Sequence, residues 1–226
     1  MPVTAAYTDA ATYRARLGKT DTAQDTAILE DLTAVSRFID SAQVCSRFFT
    51  QDASAVARIY YPRGYYTGDP EAENPWRFVR GGRTLYVDDI ASSAGLDIKV
   101  DDGRDGSFSG DASLAATDYQ LFPLNADKGP EPKPWTSIHL PTWSTRAGWP
   151  SGCMVQVTAI FGWPQIPKAI VVGTINLTGI LRLESPRATA RTPEGLSAAF
   201  AESPEAQKII EQLVRAYAGG HDRIYA

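Results

Sequence analysis

The residues best able to do chemistry in this chain are its acids: Asp88-Asp89, and Asp101, Asp102 and Asp105 set around Gly103 and Gly106. Paired carboxylates can exchange a proton as acid and base or hold a hard cation. Adjacent acids on a strand point to opposite faces, which suits one shared site poorly. Aspartate in a glycine-rich turn is explained more simply by bonding to its own backbone, with a loose calcium site at Asp101–Asp105 as the alternative. Only His139 and His221 are present, so a histidine triad or a multi-histidine metal site is poorly supported. His139 lies between apolar Ile138 and Leu140, so strand alternation predicts that it faces solvent. Neither GxSxG, HExxH, a P-loop nor GxGxxG after a strand occurs. The reading is therefore of a chain that is not an enzyme, with no catalytic, cofactor or metal residues.

Aromatic residues offer a second chemistry. Tyr60, Tyr61, Tyr65, Tyr66, Trp76 and Phe78 come early in the middle of the chain, and Trp135, Trp143, Trp149 and Trp163 later. They could stack sugars or single-stranded nucleic acid. No basic stripe runs among them, so core filling and subunit contact are the simpler roles. A formal charge of −4 argues against a general nucleic-acid binder but suits a protein that surrounds DNA without adhering to it. Cys45 and Cys153 lack metal-ligand spacing and read as buried free thiols. The start, Met1 to Asp9, carries neither the basic region nor the apolar core of a secretory signal. No run approaches the roughly 20 apolar residues of a membrane span. Production in the cytoplasm, with no membrane partner, is the expectation.

The order of elements is helices, strands, helices. Asp9 to Leu17 with Gly18 reads as a short helix and its stop. Thr22 to Asp25 is a capping-box-like start, with the apolar stripe Ile28, Leu32, Val35, Ile39 and Ala42 opposite Gln24, Asp31, Arg37 and Gln43. From Arg58 to Trp163 the period falls to two. Leu85–Val87 and Ile98–Val100 read as separate short strands, Asp101–Gly106 as the tip of a hairpin from Ile98 to Phe108, and Met154–Phe161 as the longest strand. Ala169–Leu183 is a helix apolar nearly all round, with Ile170, Thr174, Leu177 and Leu181 as one stripe and Val171, Ile175 and Leu183 beside it. Gly173 and Gly179 weaken it by roughly 1 kcal/mol each against Ala, which close packing would offset. Ser185–Ser203 reads as a linker, and Ser203-Pro204-Glu205 as the start of a last helix with Ile209, Leu213 and Ala216–Tyr217 along its apolar edge.

The predicted fold is therefore α+β: a small helical domain of about four helices with a β-rich antiparallel sandwich or barrel-like insertion. Its expected parts are residues 1–57 (first helices), 58–163 (β insertion), 164–186 (the helix completing the helical domain), 187–203 (linker) and 204–226 (last helix and tail).

This order resembles the head-to-tail connector (adaptor) family of tailed bacteriophages. The quoted matches are Ile39-Asp40-Ser41 and Arg47-Phe48-Phe49 after the first helices, then Leu85 to Ile90, Tyr119 to Ala126 and Pro134 to Ile138. The closing strand runs Val-Thr-x-x-x-Gly-Trp-x-x-Ile-Pro, here Val157 to Pro167, straight into the next helix. The resemblance covers about residues 8 to 186; the segment after Ser185 has no residue-by-residue match. It implies a structural virion protein at the head–tail interface: a ring of twelve copies beneath the portal protein, around the DNA channel, touching further neck or tail-side proteins, with DNA passing unread. On that reading Leu213, Tyr217, Arg223, Ile224 and Tyr225 are candidate portal contacts. Val171, Ile175 and Arg182 are candidate contacts between copies. The alternatives are another neck or tail-completion protein and, from a different class, a carbohydrate-binding surface module; a hydrolase using the aspartates comes third.

Overall fold

Asp9 starts the first helix, α1 (Ala10–Arg16), by accepting the Thr12 N–H at 2.7 Å on its carboxylate. Gly18, at φ +65°, ends it. There the Lys19 N–H returns to the Arg14 carbonyl and the Gly18 N–H to that of Ala15, which satisfies carbonyls the helix leaves open. The structure is a computed structural model that describes residues 6–62, 66–67, 77–78, 82–150, 153–184 and 192–217. It has an α+β fold whose chain divides into two units: Met1–Thr50 with Ile166–Ala226, and Gln51–Gln165.

In the first unit, α2 (Asp25–Asp40) buries the expected stripe of Ile28, Leu32, Val35 and Ile39. Its start differs from the capping-box expectation. Gln24 is the cap and makes no side-chain bond, while Asp25 is drawn to Arg14 at 2.8 Å. Ala42 falls beyond the helix end and is exposed. Asp31, expected on the polar face, is buried because Arg182 reaches it from α3 (Lys168–Glu184). Pro167 precedes α3 and accepts its first N–H groups, from Ile170 and Val171. The two α3 glycines behave differently. A Cβ on Gly173 would stand 3.0 Å from Leu213, whereas one on Gly179 would meet nothing within 4 Å. Close packing therefore accounts for the first glycine and not the second.

The 187–203 stretch, expected to be a linker, contains α4 (Pro193–Ala201). Thr192 caps it by accepting the Gly195 N–H, Pro193 takes the first turn, and Leu196 and Phe200 are buried, with Phe200 against Phe38. This is the same cap–proline–acid grammar read correctly at Ser203-Pro204-Glu205. Its surroundings, rich in Pro, Ala, Thr and Arg, disguised it. The last helix, α5 (Pro204–Tyr217), buries Ala206 and Leu213.

The second unit begins at Gln51, ahead of the predicted boundary at 57/58, because β1 (Val56–Tyr60) pairs along its length with β7 (Val155–Phe161). The sheet is antiparallel and five-stranded, in the order β1-β7-β4-β6-β5. Here β4 is Thr84–Val100, β5 Gln120–Phe122 and β6 Trp135–His139. A separate pair joins β2 (Tyr66–Thr67) to β3 (Arg77–Phe78). The two short strands expected at Leu85–Val87 and Ile98–Val100 are the ends of the single strand β4. Its first part pairs with β6 and its last with β7, and register shifts between Ile90 and Asp97 bend it from one partner to the other. The core holds Ile90, Ile98, Trp135, Ile138, Trp149, Val155, Val157 and Phe161.

The sheet does not close into a barrel. Side chains tie β1 to β4 instead: Arg58 donates to Asp88 at 2.8 Å, and the Tyr60 hydroxyl donates to the same carboxylate at 3.0 Å. The expected hairpin beyond Ile98 also does not form. After the Asp101 loop the backbone meets β4 at one bridge, Lys99 with Ser113, and through the Leu114 N–H to the Ile98 carbonyl, while the Lys99 ammonium donates to the Phe108 carbonyl at 3.3 Å.

Candidate interaction surfaces

The aspartates that stood out in the sequence of the β unit are committed to holding it together. Asp88 binds Arg58 and Tyr60 at one place, while Asp89 is buried elsewhere and accepts the Trp163 indole N–H at 3.1 Å. The two neighbours thus part company, as strand alternation requires. Arg58 also lies over the Phe161 ring, 4.1 Å from its centroid, a favourable cation–π placement. Asp88 and burial together push the Tyr60 hydroxyl well above the usual phenol range, burial being the larger cause.

Both oxygens of Asp101 are taken by backbone, from the Asp105 and Gly106 N–H groups at 3.1 Å each. Asp105 accepts the Ser107 N–H at 2.8 Å. Asp102 is held by Arg146, whose hydrogen bond keeps that carboxyl below its ordinary range. Asp101 and Asp105 thus act as turn formers, and Asp102 as an ion-pair partner. Among the described residues no group of three or more His, Cys, Asp or Glu is placed to hold a metal ion.

His139 is half-buried, which differs from the expected solvent-facing position. Thr84 Oγ1 lies 3.0 Å from its Nδ1, and Phe122 stands edge-on at 5.7 Å. Three tryptophans, Trp135, Trp149 and Trp163, fill the core. Trp149 donates its indole N–H to the Arg83 and Ile138 carbonyls. Tyr61 and Trp143 are exposed, at 68% and 67%. Tyr65 and Trp76 lie outside the described residues, and Tyr66 pairs with Phe78 through backbone in β2 and β3.

In the helical unit, all three candidates for contact between copies are engaged within the chain itself. Ile175 is 3% exposed in a cluster with Tyr13, Ile28 and Leu32, and half-buried Val171 packs on that cluster. Arg182 donates to Asp31 at 2.6 Å and to Gln24 Oε1 at 2.5 Å. Of the candidate portal contacts, Leu213 is buried against Gly173. Tyr217 stands edge-on to Phe49 at 5.3 Å. Arg223, Ile224, Tyr225 and His221 lie outside the described residues. Among the described residues, the large apolar side chains the unit exposes are Leu17, Leu29, Phe48 and, at 83%, Leu183.

Sequence reasoning missed a polar junction around Asp40. Tyr7 donates its hydroxyl to Asp40, accepts the Phe49 N–H at 3.1 Å on the same oxygen, and donates its own N–H to Ser36 Oγ at 3.0 Å. The partners lie 29 to 42 residues from Tyr7. Periodicity reports one element at a time, so no local signal marks such a meeting point.

In comparison with known proteins, the chain matches no family model and no curated protein.

Proposed function

We propose that this chain is a structural head-to-tail connector subunit of a tailed bacteriophage, assembling as a ring beneath the portal around the DNA channel. The observation that carries the reading is the division of the chain. A helical unit is drawn from both of its ends, and a β unit is inserted between them and closed by the strand Val155–Phe161 and the turn Gly162-Trp163 ahead of α3. The charge distribution supports it. The helical unit carries 12 basic and 12 acidic residues, the β unit 10 and 14, so neither has the basic excess that would grip passing DNA.

In this reading the portal contact lies on the exposed side of α5, at Lys208, Glu211, Gln212 and Arg215, because Leu213 faces inward. For the same reason deletion of residues 204–226, which would strip a core-forming helix, is a poor test. Charge reversal of Lys208 and Arg215 is better, because both side chains are exposed. The purified chain is mixed with the portal protein and, separately, with the tail-tube protein of the same phage, and any complex is imaged. Rings on the portal, weakened by the double reversal, are expected. Binding to the tail tube alone would overturn the proposal.

A further inference from the structure

α3 is covered round most of its circumference. Ile170, Thr174, Leu177, Thr178 and Leu181 are all buried, and Gly173 lies under Leu213. What remains is one stripe, Val172, Asn176, Gly179 and Leu183, with Ala169 and Ile180 on its flank. At 3.6 residues per turn these six positions fall within a wedge of about 100°. Asn176 and Leu183 are exposed, and Val172, Gly179 and Ile180 half-buried. The stripe carries no charge. A helix face turned to solvent is ordinarily charged, and α5 follows that rule with Lys208, Glu211 and Arg215. On α3 Arg182 turns away from the stripe to Asp31 and Gln24, and Lys168 stands at the helix start. Gly179 is a second departure. It weakens the helix by roughly 1 kcal/mol against Ala, yet a Cβ there would meet nothing within 4 Å, so no contact among the described residues requires it.

We propose that this stripe is the seat of a second copy of the chain, whose α3 lies antiparallel across it about a twofold axis. Two arguments select a second copy. The first is the pattern. The intervals from 172 to 176, 176 to 179 and 179 to 183 are four, three and four residues, so the stripe reads the same from either end. Laid antiparallel, Val172 meets the second copy's Leu183, and Asn176 meets its Gly179, the larger side chain over the smaller at the centre. The same spacing is the seam along which paired helices interlock. The second argument is charge. A charged surface laid on the stripe would be buried without partners, whereas α3 offers its own uncharged stripe in return.

Asn176 sets the register. Its amide carries both donors and an acceptor, and in this alignment the two amides flank the axis, where each serves the other. A slipped alignment would bury the amide against Val172 or Leu183, at the cost of an unmade hydrogen bond. The contact is isologous, so it does not link copies that all point one way around a ring. It belongs to the free chain, where it covers the stripe, and it stands independently of the connector reading.

Sedimentation velocity of the full-length chain alone, across micromolar concentrations, is the test. The expected species is a dimer, twice 24.5 kDa. Leu183→Glu alters a side chain that is 83% exposed in the single chain, so ellipticity at 222 nm should not change. The dimer Kd should rise by roughly a hundredfold, because each pair holds the substitution twice. Gly179→Ala should raise the Kd about tenfold by crowding the seam, although the same Cβ meets open space in the single chain. Register is read with a short bismaleimide. Val172→Cys chains mixed with Leu183→Cys chains should cross-link to each other well above either variant alone; the native Cys45 and Cys153 are buried. A chain that stays monomeric overturns the proposal. So does a dimer that withstands Leu183→Glu or Gly179→Ala, or cross-linking no greater in the mixture.

Discussion

The two units differ in what their buried acids hold. Of the two buried acids of the β unit among the described residues, Asp101 closes a loop through neighbouring N–H groups and Asp89 reaches a distant side chain, the Trp163 indole; the sheet itself is aligned by backbone ladders and an apolar core. In the helical unit the buried acids reach side chains on other elements: Asp31 takes Arg182 from 151 residues away, and Asp40 takes Tyr7. The difference follows from how each unit is assembled. A contiguous stretch can find its register by ladder pairing, but helices drawn from both ends of the chain share no ladder. A directional buried contact can then fix how they meet; its worth lies in specificity more than in stability.

The largest expected effects come from removing a core ring in either unit. All five tryptophans lie between Gln51 and Gln165, so their fluorescence reports the β unit, while ellipticity at 222 nm is weighted to the helices. Phe161→Ala empties the β core and removes the surface beneath Arg58. It should cost about 3–5 kcal/mol in denaturant titrations followed by fluorescence. Phe200→Ala should cost a similar amount at 222 nm. Equal movement of both signals in both variants would mean that the units unfold as one.

Next in size is the long-range ion pair. Asp31→Ala strands Arg182, whose side chain is mostly covered, and should cost about 2–4 kcal/mol. The double change Asp31→Leu with Arg182→Met should recover much of that loss, since an apolar pair of similar volume needs no desolvation. Failure of the double variant to recover would show the pair to be a net source of stability, contrary to the specificity argument. Thr192→Ala should cost about 1 kcal/mol by uncapping α4, measurable as a lower denaturation midpoint. The smallest effect is a gain: Gly179→Ala should stabilise by about 0.5–1 kcal/mol, because its Cβ meets open space. Gly173→Ala should give no such gain, since its Cβ would press on Leu213.

Much of this architecture is readable from local patterns, and the failures share one cause. Asp9 with Gly18, the stripe of α2, the proline-marked start of α3 and the alternation of β7 were all legible, because each is written within one element. Asp31 was misplaced because its partner lies far along the chain, and a lone aspartate on a helix ordinarily faces water. β4 was split in two because Asp88-Asp89 and Ser92-Ser93-Ala94-Gly95 interrupt its apolar alternation; bulges carry the strand through them. α4 was lost to compositional noise although its cap was in view. Of the candidate contacts, Leu213 and Ile175 were chosen for being apolar on helices, which cannot distinguish a residue used inside the chain from one offered outside it.

The central claim concerns assembly, and native mass spectrometry of the full-length chain with and without the portal protein of the same phage tests it most directly. The account predicts a complex carrying many copies of this 24.5 kDa chain on one portal ring. A chain whose mass is unchanged by the portal across micromolar concentrations would contradict it.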